Sequence, residues 1–136
     1  LSRYKVDEVD IRNPLESYDA LSLYLRNLFV GTENEITYVL LFDSKNRLIL
    51  SSQIAEGYSC GNVISMREMV QLATSSNAAS IILAHNHPGN NPHPSEEDVT
   101  ATMKIDRVLS DMDIILIDHF ICAGDVYNSM RYRNLF

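Results

Sequence analysis

Ala79-Ser80-Ile81-Ile82-Leu83-Ala84-His85-Asn86-His87-Pro88 is the stretch on which the reading turns. Ala79 to Ala84 is a short apolar run, as expected of a buried strand. The polar segment that follows, residues 86–94, holds three of the four prolines and Gly89, so it predicts an ordered loop without regular structure. Three of the four histidines fall between residues 85 and 93. His85 and His87 are two apart, and a local period of two turns both imidazoles to one side.

Outward from this stretch, helix and strand patterns alternate. Asn13-Pro14-Leu15-Glu16 predicts a helix start, with Asn13 as cap and Pro14 in the first turn. Tyr18, Leu21, Leu25 and Leu28 recur at helical spacing, and Gly31 is the expected stop. Ile36 to Phe42 is rich in β-formers and predicts a central strand. Asp43 to Asn46 reads as a turn and Arg47 to Ser52 as an antiparallel return. Gly57 and Gly61 mark loop positions.

Ser65-Met66-Arg67-Glu68 has the pattern of a capping box and predicts a helix through Ala73. Ser95 to Asp98 opens another, with Val99, Met103, Leu109 and Met112 as its apolar positions. Ile114 to Ile117 predicts a strand. Phe120 to Ala123 and Val126 to Met130 read as closing strands about a Gly124-Asp125 turn. The order predicts a single α/β domain, residues 1–136, with a mixed β-sheet flanked by helices.

Composition narrows the function. The 136 residues are 46% hydrophobic and 21% charged, enough apolar material for one core. The formal charge is −7, and residues 91–125 carry eight Asp/Glu against Lys104 and Arg107. No basic face is legible, so direct nucleic-acid binding is not expected. No run reaches the ~20 apolar residues of a membrane helix. The N-terminal LSRYKVDEVD is too charged for a signal peptide, and the cytoplasm is the expected compartment. Cys60 and Cys122 form no C-x-x-C pair and read as free structural thiols.

The chemistry concentrates around the histidines. Asp98 lies in the first turn of its helix, where a loop folding back brings its carboxylate toward His85 and His87. Two imidazole nitrogens and one carboxylate oxygen suit zinc and leave a fourth position open, as in catalytic rather than structural sites. Such a site needs a proton acceptor; Glu96 and Glu97 are at hand, and Glu35 is the better candidate if its strand lies beside the histidine strand, a choice that spacing alone does not make. Ser95 is either a helix cap or a hydrogen-bond donor to a developing oxyanion. His93 reads as a loop residue and His119, beside Asp118, as a residue at a strand end. A Ser95/His85/Asp118 triad can be written down, but it lacks the G-x-S-x-G elbow.

Together these residues resemble the JAMM (also MPN or JAB) zinc metalloprotease motif: an early-strand glutamate, then H-x-H, seven residues, Ser, two residues, Asp. Here the series is Glu35, His85-x-His87, residues 88–94, Ser95 and Asp98. Within that superfamily the chain is most similar to RadC-type proteins, through Glu35 to Asp43, Arg67-Glu68, Ala84 to Pro88, Pro92-x-Pro94-Ser95, Asp98 and Asp118-His119. The motif-bearing core covers about residues 30–130.

The resemblance implies a JAMM/MPN-like layered fold, distantly similar to cytidine deaminases, and one zinc ion per chain. His85, His87 and Asp98 would be ligands, Glu35 the general base and Ser95 the support of the tetrahedral oxyanion. Apart from that carry-over, Asn86 and His119 are candidates to back the ligands or to touch substrate. RadC-type loops usually read His-Pro-Ser-Gly-Asp-Pro, whereas here His87-Pro88-Gly89-Asn90-Asn91-Pro92 sets glycine one place early. Longer RadC-type proteins carry an N-terminal helix-hairpin-helix region, and no such segment is read here.

The expected function is hydrolysis of peptide or isopeptide bonds, on a peptide or protein substrate. The alternative is a non-catalytic interaction module linked to DNA repair. Deamination is a further rival, but its usual P-C-x-x-C ligands are absent. A homodimer through Arg47–Ser52 or the C-terminal strands is also within reach.

Overall fold

The computed structural model describes residues 14–57 and 65–136, and at 55–57 the backbone alone. Among the described residues three helices, α1 (Tyr18–Phe29), α2 (Met66–Ser75) and α3 (Glu96–Asp111), pack on five strands. The strands are β1 (Glu35–Phe42), β2 (Leu48–Gly57), β3 (Ser80–Asn86), β4 (Ile115–Ala123) and β5 (Val126–Ser129). They form one sheet in the order β2-β1-β3-β4-β5. β3 and β4 run parallel, joined through α3, and the other neighbours are antiparallel. The expected α/β class with a mixed sheet is what the chain adopts.

The two faces of the sheet carry two cores. On one, Leu40, Phe42, Ile82, Ala84, Phe120 and Cys122 meet Leu21 and Leu25 of α1. On the other, Val39, Leu41, Ile81 and Leu83 meet Met69 and Ala73 of α2 and Ile105 and Leu109 of α3. Alternate residues of β1 and β3 go to opposite faces, which is why these central strands read as unbroken apolar runs. His85 continues the odd-numbered face of β3, so its ring emerges on the α3 side.

Several local expectations need correction. Pro14 lies in a turn, and α1 begins after Ser17, whose extended backbone and hydroxyl, accepting from Ala20 N at 3.0 Å, make it the cap. That phase buries Ala20 and leaves Tyr18 64% exposed. Asn13 lies outside the described residues, as do Cys60 and Gly61. Gly31 adopts a left-handed backbone (φ 75°) just beyond α1, as its role as stop requires. β2 is longer than expected and includes Gly57. In α3 the buried positions are Thr102, Ile105 and Leu109, while Met103 is exposed.

The two segments read as separate strands at 114–117 and 120–123 are one strand, β4. Asp118 and His119 do not break it because their polar groups are satisfied in place. Asp118 Oδ1 accepts from Arg131 N at 3.0 Å and Oδ2 from the Ser129 hydroxyl. Cys122 is free and buried, and burial pushes its thiol up to about 12. Among the described residues no helix is long and apolar enough to cross a membrane.

Candidate functional site

The site lies where β3 ends. β1 and β3 pair with Thr37 opposite His85, which sets Glu35, the first residue of β1, beside the histidine pair. Asn86 fastens this corner. Its Oδ1 accepts from Ile36 N at 2.6 Å, and its Nδ2 donates to Thr32 Oγ1 and to the Asn34 carbonyl, both at 3.0 Å. One buried amide therefore holds the chain on both sides of Glu35 to the residue between the two histidines.

His87 lies one residue past β3 and is held to β4 by its N–H donating to the Cys122 carbonyl at 2.9 Å. Its ring Nδ1 sits 2.9 Å from the Asn91 carbonyl, so the proline-bounded loop orients it. Neither Gly89 nor Asn90 has a left-handed backbone. The shifted glycine therefore imposes no strain there. α3 brings the third group: Asp98 Oδ2 is 3.5 Å from His85 Nε2 and 3.4 Å from His87 Nε2. The two Nε2 atoms are 3.0 Å apart. Glu35 Oε1 lies 3.5 Å from His87 Nε2 and 4.0 Å from His85 Nε2.

These spacings fit a metal ion. Two ligands at about 2.0–2.1 Å from a tetrahedral ion are about 3.3–3.4 Å apart. The imidazole–Asp98 distances match that edge, and the 3.0 Å between the two Nε2 atoms is shorter than it. Glu35, His85 and His87 also form a set that could hold a metal ion, with ligand atoms within 4.8 Å of one another. The two sets share the imidazoles, and the shorter distances make Asp98 the nearer carboxylate.

The surroundings tune each group. Burial pushes the Glu35 carboxyl up, against the pull of His85 and His87 and with the push of Asp98. Burial also works to raise Asp98, but contacts with His85 and His87 outweigh it and hold this carboxyl well below the usual carboxylate range. Asp98, in turn, raises His87 above its ordinary value, against partial burial. His119 is wholly buried. Desolvation first, then the neighbouring His85, holds it well below its ordinary value and therefore neutral.

Ser95 caps α3. Its hydroxyl accepts from Asp98 N at 3.0 Å, and Asp98 Oδ2 accepts from Ser95 N at 2.8 Å. Glu35, His87, Ser95, Glu97, Asp98 and His93 all line one cleft of about 480 Å³. Glu96 is exposed in the first turn of α3. The alternative triad is not assembled: Asp118 is bound by His119 N, Ser129 and Arg131 N rather than by His85. The sequence reading missed Thr102, whose hydroxyl meets His119 Nδ1 at 2.7 Å. It also missed the Asn91 carbonyl, a main-chain group to which no side-chain motif points.

Known proteins carry the same domain. The profile of the RadC-like JAB domain matches residues 12–135. A UPF0758 protein of Neisseria gonorrhoeae is 36% identical over 130 residues, covering 95% of this chain and 56% of its own length. A UPF0758 protein of Herminiimonas arsenicoxydans is 38% identical over 118 residues, covering 87% of this chain and 53% of its own. The chain thus spans about half the length of these curated relatives. With a helix-flanked mixed sheet, a glutamate and two histidines gathered at one strand end, and a match along nearly all its length, the chain belongs to the RadC-like JAB domain family.

Proposed function

We propose that the cleft is the active site of a zinc-dependent hydrolase acting on peptide or isopeptide bonds. The observation that carries this reading is the convergence of His85 Nε2, His87 Nε2 and Asp98 Oδ2 beside the buried carboxyl of Glu35. Two imidazoles and one carboxylate make a three-ligand, open set of the kind catalytic zinc uses. A zinc ion held there supplies Lewis acidity, lowering the pKa of a water and polarising a carbonyl.

The chain's own groups do the rest. Glu35 takes the proton of the attacking water and returns it to the leaving amine; its raised pKa brings it closer to the pH at which both transfers are efficient. Ser95 already accepts from Asp98 N, yet a hydroxyl keeps a hydrogen to donate. That hydrogen serves the oxygen on which negative charge develops. Asn86 holds Glu35 in reach. The substrate is a peptide or protein, one ion is bound per chain, and the acidic chain makes no direct contact with nucleic acid.

The test is elemental analysis of wild type and His87→Ala, followed by peptide and isopeptide cleavage assays on wild type and Glu35→Gln. Near one zinc per wild-type chain, little in His87→Ala, and turnover lost in Glu35→Gln support the reading. A wild-type protein that takes up no zinc when supplied removes it and leaves the interaction module as the better account.

A further inference from the structure

Beneath the cleft, groups from three elements form an unbroken hydrogen-bonded column. His85 Nδ1 meets His119 Nε2 at 2.7 Å, and His119 Nδ1 meets Thr102 Oγ1 at 2.7 Å. Thr102 Oγ1 then donates to the Asp98 carbonyl at 2.7 Å. The three side chains are 2%, 1% and 0% exposed, so bulk water offers no substitute partner. The column begins on the ring of one candidate ligand and ends on the backbone of another.

Counting hydrogens shows the one direction that satisfies every contact in the column. A carbonyl only accepts, and a hydroxyl has one hydrogen. With that hydrogen committed to Asp98, Thr102 Oγ1 can only accept from His119, so His119 Nδ1 carries the N–H. Met130 Sδ, 3.8 Å from Thr102 Oγ1, is the weaker acceptor and does not change the count. A neutral imidazole has one N–H, which leaves His119 Nε2 bare and makes His85 Nδ1 the donor. His85 Nε2 is then bare, and it is this atom that faces His87 Nε2 and Asp98 Oδ2. His87 reaches the same state by a shorter route, its Nδ1 donating to the Asn91 carbonyl. Two bare nitrogens 3.0 Å apart repel each other unless a cation lies between them.

We propose that His119 and Thr102 are positioning residues that lock His85 in the tautomer with a bare Nε2 and tie its ring to the helix carrying Asp98. The inference rests on the reading of the cleft as a zinc site, since a ring bearing hydrogen on Nε2 cannot ligate through that atom. Neither residue lines the cleft. A threonine within a helix is already satisfied by the carbonyl four residues back. A purely structural Thr102 has no need of the path through His119 to His85.

The test reads ring nitrogens and zinc affinity separately. Nitrogen-15 NMR of histidine-labelled wild type, metal-free and mildly alkaline, should show hydrogen on Nδ1 of both His85 and His119. Thr102→Val keeps the shape and removes the hydroxyl. It should weaken zinc binding about 10- to 100-fold in chelator competition and leave His85 as a tautomer mixture. Thr102→Ser should restore both. Wild-type His85 carrying its hydrogen on Nε2 overturns the proposal. So does a Thr102→Val protein with unchanged zinc affinity and an unchanged His85 spectrum. If Thr102→Val does not fold, the wild-type and Thr102→Ser spectra decide. A wild-type protein that binds no zinc overturns the metal reading instead, and the metal-free spectrum still reports the tautomers.

Discussion

Ser95 and Asp98 hold each other at the start of α3, the hydroxyl accepting from Asp98 N at 3.0 Å and Asp98 Oδ2 accepting from Ser95 N at 2.8 Å. The same Oδ2 faces both Nε2 atoms. A helix cap and a candidate ligand therefore share one oxygen, and the helix start cannot fray without disturbing the site. Ser95→Ala should cost about 1 kcal/mol of stability. Its zinc content should stay near wild type, whereas Asp98→Ala should lose the ion. Denaturant melts and elemental analysis separate the two; equal zinc loss in both would mean that cap geometry, not the carboxylate, holds the metal.

Glu35→Gln keeps the shape of the buried side chain but cannot take a proton. Zinc content should be unchanged and turnover should fall by about 10²- to 10⁴-fold. Full activity in this variant would remove Glu35 from the proton path.

Asn86→Ala strips three hydrogen bonds from the entry to β1. Leaving Ile36 N unpaired in a buried corner should cost roughly 1–3 kcal/mol. Turnover should drop further than zinc content, because Glu35 is what the amide fixes. A variant with wild-type melting and wild-type turnover would show that the corner is held by other means.

On the zinc reading, the raised pKa of His87 should give metal binding a pH dependence. The ion binds the deprotonated ring, so apparent affinity should fall as pH drops through that raised value, starting above 6.5, the ring's ordinary value. In metal-free protein the sign reverses for stability. The imidazolium–Asp98 contact stabilises the fold fully below pH 6.5 and is lost as pH rises through the higher folded value. Zinc titrations across this window check the first effect, and an affinity flat on both sides of neutrality would contradict it.

Cys122, with its thiol pushed up to about 12 by burial, should resist alkylation in the native protein and react fully after unfolding. Mass spectrometry of the peptide containing it distinguishes this from rapid native labelling, which would place the thiol in reach of solvent.

The candidate ligand series was legible because its spacing is local: a strand end, a stiff loop and the first turn of a helix. Glu35 lies far away in sequence, and spacing alone could not choose it over Glu96 and Glu97; the β1–β3 pairing is what places it beside the histidines. Thr102 was passed over because the apolar stripe of α3 was phased on Met103, which is exposed. The polar pair Asp118-His119 read as a gap between strands because partners such as Arg131 N and Thr102 come from other segments. Periodicity cannot show a polar group that is satisfied from a distance.

The order β2-β1-β3-β4-β5 also has a consequence in time. A chain emerging from the ribosome exposes His85, His87 and Asp98 well before the strand that bears His119 is available to pair with β3. On the proposed column, it is the docking of β4 that sets which nitrogen of His85 is bare. The mature geometry is therefore complete only once β4 has paired with β3, and an ion captured earlier would be held by a looser and more exchangeable set of groups.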